Sequence, residues 1–374
     1  MISKRKSLIF ATLISLSLIV LLATANAKFV YADEGASCTE CGQQQVPSGI
    51  SLPSDALTLR YSYNLHGSYV ANGTGMRNFG YGTITIQGVP VGSVVVKALL
   101  YWNILNATAT PNMERGIFQD IPITGWVPVG ISDNPCWGGV ATSVVYRADV
   151  TAYIRQTING AYSLKGFASG RTDGSDPWVT STIPPLNEGA SLVIIYCNPN
   201  LPGRTIQVYD GAVTTPFPAA TAQTTLSGFV ASASPNAITT FIVADGQSAS
   251  DVGTWNGNTV VNNFLGNDVV DSTGKRGYFS LGGLWDTITI PVTVLPGDTS
   301  ATAAIKGGPD CLVWSAQVFQ VDTDAYVGTC PSPVGGELTA PSFPATTIMF
   351  VMALAAVSVI ILVLKIPKKV IKAY

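Results

Sequence analysis

The stretch EGASLVIIYCNPNLPGRTIQVYDGA (188–212) holds two short apolar segments, Ser191–Cys197 and Thr205–Tyr209, either side of a run of Asn, Pro and Gly. β-Branched and aromatic residues suit a pleated, half-buried surface, and Gly, Pro and Asn punctuate it, so the stretch reads as strand, turn, strand. The pattern recurs outward in both directions. Tyr81–Gln87 (YGTITIQ), Val94–Trp102 (VVVKALLYW), Thr239–Val243 (TTFIV), Thr287–Val294 (TITIPVTV) and Cys311–Val321 (CLVWSAQVFQV) are each apolar or alternating and bounded by turn formers. Between 28 and 344 no window holds a 3.6-residue apolar period beyond about three turns, and Val150–Ile158 is the best candidate for a short helical turn. The expected fold is mainly β: an antiparallel β-sandwich or jelly roll, as two tandem sandwiches.

The ends of the chain differ from this middle. Lys4, Arg5 and Lys6 precede the uncharged apolar run Ser7–Ala23, and Ala25-Asn26-Ala27 supplies small residues where a signal peptidase reads. This is the form of a secretory signal cleaved after Ala27, with an uncleaved N-terminal anchor as the alternative. Ala345–Leu364 (ATTIMFVMALAAVSVIILVL) has no charge, and at 1.5 Å per residue a helix of this length spans the roughly 30 Å hydrocarbon core. Lys365, Lys368, Lys369 and Lys372 follow it and place the tail on the cytoplasmic side. The expected organisation is a signal peptide (1–27), an N-terminal extension with a CxxC (28–58), β-sandwich 1 (59–215) and β-sandwich 2 (216–328). A Pro/Gly stalk (329–344), a transmembrane helix (345–364) and a basic cytoplasmic tail (365–374) complete it. The chain is thus expected at the cell surface as a single-pass membrane protein.

Charge excludes some functions. Setting aside the seven terminal cations leaves 13 Lys+Arg against 22 Asp+Glu, so the central region carries −9 although the whole chain carries −2. An acidic surface repels phosphate, which excludes a nucleic acid as partner. Charged residues are 11% of the chain, below the roughly 25% of an ordinary soluble domain.

A weak internal echo runs through the middle. Asp149-Val-Thr, Ala161–Gly166 (AYSLKG) and the strand 191–197 are followed by Asp286-Thr-Ile-Thr, Ala303–Gly307 (AAIKG) and the strand 311–321. Chance and a true duplication are both open readings of matches this short. A duplication would break near Thr214–Ser234.

KALLYWNI (97–104), YRADVTAYI (146–154), residues 188–212 and GPDCLVWSAQVFQV (308–321) resemble a group of uncharacterised secreted β-rich surface proteins of archaea and bacteria, known as domains of unknown function. The resemblance covers most of 60–322 and implies a surface-exposed β-domain with no transferable catalytic residues. Stalk, helix and basic tail together resemble the C-terminal sorting signals of archaeal surface proteins, some of which are cut and replaced by a lipid anchor.

Candidates for chemistry are few. Cys38, Cys41, Cys136, Cys197, Cys311 and Cys330 all lie in the exported part, which favours disulfides, and the expected pairs are Cys136–Cys197 and Cys311–Cys330. Cys38-Thr-Glu-Cys41 is a lone CxxC, read as a local disulfide ahead of a metal site. His66 is the only histidine, which removes sites needing two imidazoles, and no GxSxG elbow supports a triad built on it. Asp173/Asp176, Asp268/Asp271 and Asp322/Asp324 are acids of the kind that bind Ca²⁺, with turn-forming Asp the commoner explanation. No cofactor and no catalytic residue is assigned. Most acids sit beside Gly, Asn, Ser or Thr and read as solvated. Lys97 lies within an apolar strand, sharing a face with Val95, Leu99 and Tyr101 if the strand is regular. An edge position or a snorkelling amine is preferred there to an isopeptide bond with an Asn. Trp126, Trp137, Trp178 and Trp255 lie in turn-rich sequence, either stacking on sugars or plugging the core. Asn72-Gly-Thr74 and Asn106-Ala-Thr108 are glycosylation acceptors if the host glycosylates.

The leading functional expectation is a membrane-anchored structural or adhesive surface protein contacting glycans or other surface proteins, without enzymatic activity. The alternative is an extracellular polysaccharide hydrolase using two carboxylates. A solute- or metal-binding receptor is disfavoured, because the α/β pattern of such receptors is absent.

Overall fold

The computed structural model describes residues 55–330 except 107–111, 126–127, 135–141, 178–179, 216–220, 247–250, 265–283, 308–310, 326 and 329. The strands in chain order are β1 (Thr58–Gly75), β2 (Gly82–Ile86), β3 (Val94–Asn106), β4 (Arg115–Phe118), β5 (Ile121–Thr124), β6 (Pro128–Asp133), β7 (Thr142–Asp149), β8 (Gly160–Lys165) and β9 (Leu186–Cys197). They continue with β10 (Gly203–Thr215), β11 (Thr221–Ser227), β12 (Ala237–Ala244), β13 (Val252–Trp255), β14 (Asn258–Val261), β15 (Trp285–Val292), β16 (Ser300–Lys306) and β17 (Leu312–Asp322). The expected helical turn is a short 3₁₀ turn at Thr151–Tyr153. The protein is mainly β, and every strand pairing is antiparallel.

The strands form a nine-stranded sheet, β15-β12-β17-β10-β1-β9-β3-β7-β6, and two four-stranded sheets, β2-β8-β4-β5 and β11-β16-β13-β14. The continuous apolar runs are explained by this arrangement. β9 and β17 are buried at every position, as central strands covered on both faces must be. Along β3, Leu100, Trp102 and Ile104 join Ile84, Phe118, Tyr162 and Leu164 of the first small sheet in one core. The alternate residues Leu99 and Tyr101 join Ile206, Val208, Ile242 and Val318 from the other half of the large sheet. A third core unites Phe241, Trp314 and Phe319 with Leu226, Trp255 and Ile305 of the second small sheet. The large sheet is therefore folded on itself, with a small sheet over each outer face.

The fold of the large sheet is made in β1. Its first half pairs with β10, up to His66↔Gly203, and its second half pairs with β9, from Gly67↔Cys197. Gly67 sits where the partner changes. A Cβ there would lie 2.1 Å from the Tyr196 carbonyl oxygen and 2.4 Å from Leu65 Cδ1, so only glycine fits.

The second half repeats the connectivity of the first. β2-β8-β4-β5 and β11-β16-β13-β14 are the same order with equivalent strands, and β1-β9-β3-β7 corresponds to β10-β17-β12-β15. Ala161–Gly166 and Ala303–Gly307 fall on the equivalent strands β8 and β16 and run on just past their ends. Asp149 ends β7 whereas Asp286 opens β15, so that part of the echo does not correspond. Counted by strands, the repeat begins at β10. The 59–215 boundary would leave β10 with the first half, yet β10 pairs with β17 over Arg204–Thr215. The turn formers at 198–202, not the Thr/Ala/Ser stretch, mark the change.

Lys97 shows why a regular strand was the wrong assumption there. The register slips between Val95 and Lys97, which sends Val95 to the core under the first small sheet while Leu99 faces the other half.

Candidate functional site

Hydrogen bonds between connections define two ends of this unit. At one end lie 87–93, 150–159, 198–202, 228–236 and 293–299. Asn198 Nδ2 donates to Ser93 Oγ at 3.1 Å, Asn159 Nδ2 to the Val89 carbonyl at 2.8 Å, and Ala231 N to the Asp298 carbonyl at 2.9 Å. The Cys197–Cys330 disulfide sits here, beside the His66 carbonyl. The opposite end gathers the described parts of the other connections, 76–81, 112–114, 134, 166–177, 180–185, 245–246, 251, 262–264, 284, 307 and 311. Among the described residues, 166–177 is the longest uninterrupted stretch between strands, and it lies at this end.

At this loop end an aromatic pair faces outward. Phe79 and Tyr81 meet edge to face at 5.4 Å, and Tyr81 is 50% exposed. Gly80 and Gly174 let the 169–175 segment close on the pair, because a Cβ at Gly174 would lie 2.8 Å from the Phe79 ring. Asn78 donates to the Ser175 carbonyl at 3.0 Å. Arg171 is fixed by the Ser181 carbonyl and hydroxyl at 3.0 and 2.9 Å, and its other nitrogen reaches Asp173 at 3.5 Å. Hydrogen bonds from the Ser175 side chain and backbone hold the Asp173 carboxyl below its ordinary range, so it is ionised at neutral pH. A flat ring flanked by fixed polar groups is the arrangement that stacks on a sugar and hydrogen-bonds its hydroxyls.

Below the loops, acids are buried rather than solvated. Glu188, Asp210, Asp245, Asp251 and Asp286 are each 0–1% exposed, which corrects the reading from their polar neighbours. Burial of a carboxylate requires donors, and the donors are distant in sequence. Glu188 accepts from Arg77, and Asp245 accepts from Asn134 at 3.3 Å.

The seam between the two halves holds a second cluster. The Asp210 carboxylate accepts from Arg60 Nε at 2.8 Å, from Arg147, and from the Tyr101 hydroxyl at 3.1 Å. Lys97 pairs with Asp149, and both Lys97 and Arg147 lie over the Tyr61 ring, at 5.0 and 5.4 Å. Burial pushes the Tyr101 hydroxyl well above its ordinary range, and the Asp210 charge adds to this. For Lys97 burial works against the charge, yet the Asp149 hydrogen bond and charge outweigh it, and the amine is raised. A lysine held protonated is no nucleophile, so the seam favours the snorkelling ion pair over an isopeptide bond.

The remaining candidates divide as follows. Cys197 pairs with Cys330, and Cys311 is disulfide-bonded as well. The expected pairs Cys136–Cys197 and Cys311–Cys330 are thereby overturned. The chain after Asp322 returns beside β1, with Gly328 bridging Leu65, and this brings Cys330 to Cys197. Cys38, Cys41, Cys136, Trp126, Trp137, Trp178 and Asp268/Asp271 lie outside the described residues, as does 345–364. Trp255 is a core residue, 3% exposed, donating to the Thr293 carbonyl. His66 Nδ1 lies 2.9 Å from the Leu201 carbonyl. Asn72 Nδ2 donates to the Thr85 carbonyl at 2.7 Å, and Asn106 is 6% exposed. Asp322 and Asp324 bind Arg204, Asn236 and the Ala233 amide. Among the described residues no group of three His, Cys, Asp or Glu is placed to hold a metal, and no helix is long and apolar enough to cross a membrane. The Phe79–Tyr81 pair escaped the sequence reading, although NFGYG (78–82), two rings alternating with glycines, was its available signal.

The chain matches no protein-family model and no curated protein. Among solved structures it is similar to the glycoside hydrolase BuGH86 in complex with neoagarooctaose, at 10% identity and TM-score 0.22, over 71% of this chain and 34% of that one. It is similar also to BpGH86A, a β-porphyranase of glycoside hydrolase family 86 from Bacteroides plebeius, at 8% identity and TM-score 0.23, over 74% and 37%. The Sputnik virophage structure matches at 9% identity and TM-score 0.16, over 78% and 89%. The chain spans about a third of the two enzymes, and likenesses of this size carry no functional argument.

Proposed function

We propose that this protein is a membrane-tethered, cell-surface structural or adhesive protein, built as two tandem jelly-roll-like β-sandwiches whose loop end contacts glycans or other surface proteins. The observation that carries this reading is the opposition of the two ends. The described chain ends at Cys330, fixed to Cys197, and the 166–177 stretch lies at the other end, closed on Phe79 beside the half-exposed Tyr81. Residues 345–364, read as membrane-spanning, follow the disulfide end in the chain, so the tether attaches there and not at the loop end. Supporting this, Tyr81, Arg171 and Asp173 supply a ring, a cation and an anion on one surface.

The test is to incubate the purified protein with a panel of cell-wall and exopolysaccharides and measure both retention and new reducing ends. Retention without cleavage, weakened about two- to tenfold by Tyr81→Ala, is expected from one lost stacking contact. Steady release of reducing ends, abolished by a single Asp→Asn or Glu→Gln change, would replace this reading with the hydrolase.

A further inference from the structure

The three most exposed large apolar residues among those described are Val91, fully exposed, Leu295 at 63% and Val230 at 51%. They occupy three different connections, and all three connections belong to the disulfide end. The Val91 carbonyl accepts from Asn198, next to Cys197, at 3.4 Å. The Val230 carbonyl accepts from Thr323 at 2.7 Å, on the segment leading to Cys330. The Leu295 loop is joined to the Val230 loop through Ala231 N and the Asp298 carbonyl at 2.9 Å. The three tips thus surround the place where the chain leaves.

These loops are also nearly free of charge, in a central region carrying −9. QGVPVGS (87–93) and GFVASASPN (228–236) have no charged residue, and TVLPGDT (293–299) has one acid. That acid, Asp298, accepts from Leu295 N at 2.8 Å within its own turn. Apolar tips on uncharged loops suit the boundary between lipid headgroups and acyl chains, where a few inserted side chains add modest affinity. The 14 residues 331–344 are rich in Pro and Gly and span at most roughly 50 Å, so the tips stay at high effective concentration near any membrane holding 345–364.

We propose that the Val91, Val230 and Leu295 tips dock on the lipid surface, setting the protein upright with its loop end away from the membrane. This rests on the tether of the proposed function. The test uses the full chain in phosphatidylcholine vesicles, with an environment-sensitive fluorophore on Val91→Cys, on Leu295→Cys, or on Ile183→Cys at the loop end. The described native cysteines are disulfide-bonded and take no label. Flotation first establishes that the chain is held by the vesicles. Nitroxide-bearing lipid is then expected to quench the labels at 91 and 295 at least twofold and leave 183 unchanged. Co-flotation with unquenched labels at 91 and 295, or with equal quenching at 183, would overturn the docking while leaving the tether in place. A chain that does not float with vesicles overturns both.

Discussion

The Asp210 carboxylate and the Arg147 guanidinium meet across the seam between the two halves of the large sheet, 63 residues apart in sequence. Asp210 is fully buried and Arg147 nearly so, with 0% and 12% of the side chain exposed.

Asp210→Asn is expected to cost about 3–5 kcal/mol, because it leaves the buried Arg147 charge without its carboxylate. Arg60→Ala should cost less than about 1 kcal/mol, since Arg60 is 41% exposed. Urea midpoints of the two variants check the contrast, and equal losses would show that the seam is not carried by the Asp210–Arg147 contact.

Asp322 sets a dependence on pH. Burial works against its charge, but donors at Arg204 Nε (2.8 Å), Asn236 N (3.1 Å) and Asn236 Nδ2 (2.8 Å) outweigh it and hold the carboxyl below the ordinary 3.8. The unfolded chain therefore binds the proton more readily, and stability rises with pH. The contribution is fully present above the unfolded value and is lost as pH falls through the lower folded one. The stability gap between wild type and Asp322→Asn should be open at pH 7 and close below about pH 4. A gap as wide at pH 3 as at pH 7 would assign the loss to packing.

Gly67→Ala should destabilise by at least roughly 3 kcal/mol, because the new methyl meets a backbone carbonyl that cannot yield. Soluble yield and the urea midpoint report it. An unchanged midpoint would mean that β1 turns without the close approach at Tyr196.

Peptide mapping of the unreduced chain should recover Cys197 linked to Cys330, across a separation of 133 residues. Replacing both by Ser should lower stability by roughly 2–4 kcal/mol. A Cys311–Cys330 peptide would contradict the structure.

Local composition made much of this fold legible. All seven apolar segments read from the sequence lie on β2, β3, β9, β10, β12, β15 and β17, since each carries enough Val, Ile, Thr and aromatic residues to mark a strand by itself. β1 escaped, because TLRYSYNLHGSYVANGTG changes partner halfway and mixes exposed with buried positions. The buried acids escaped for a different reason. Asp210 stands between Tyr209 and Gly211 and Glu188 between Asn187 and Gly189, with no basic residue beside either, while the arginines that make burial tolerable, Arg147 and Arg77, lie far away in sequence. The cysteine pairing was hidden likewise, since the return of 323–330 along β1 leaves no local trace.

The disulfide also determines how the fold meets a mechanical load. A pull on the chain beyond residue 330 passes through Cys330 to Cys197 and enters at the end of β9, not at the end of β17. β9 is flanked on both sides, by β1 over Gly67–Gly75 and by β3 over Val94–Leu105. Drawn lengthwise, those two ladders resist in shear, and their rungs must give way together. With the bond reduced, the same pull would instead reach the end of β17, held between β10 and β12, so the disulfide moves the load from the second half of the large sheet to the first.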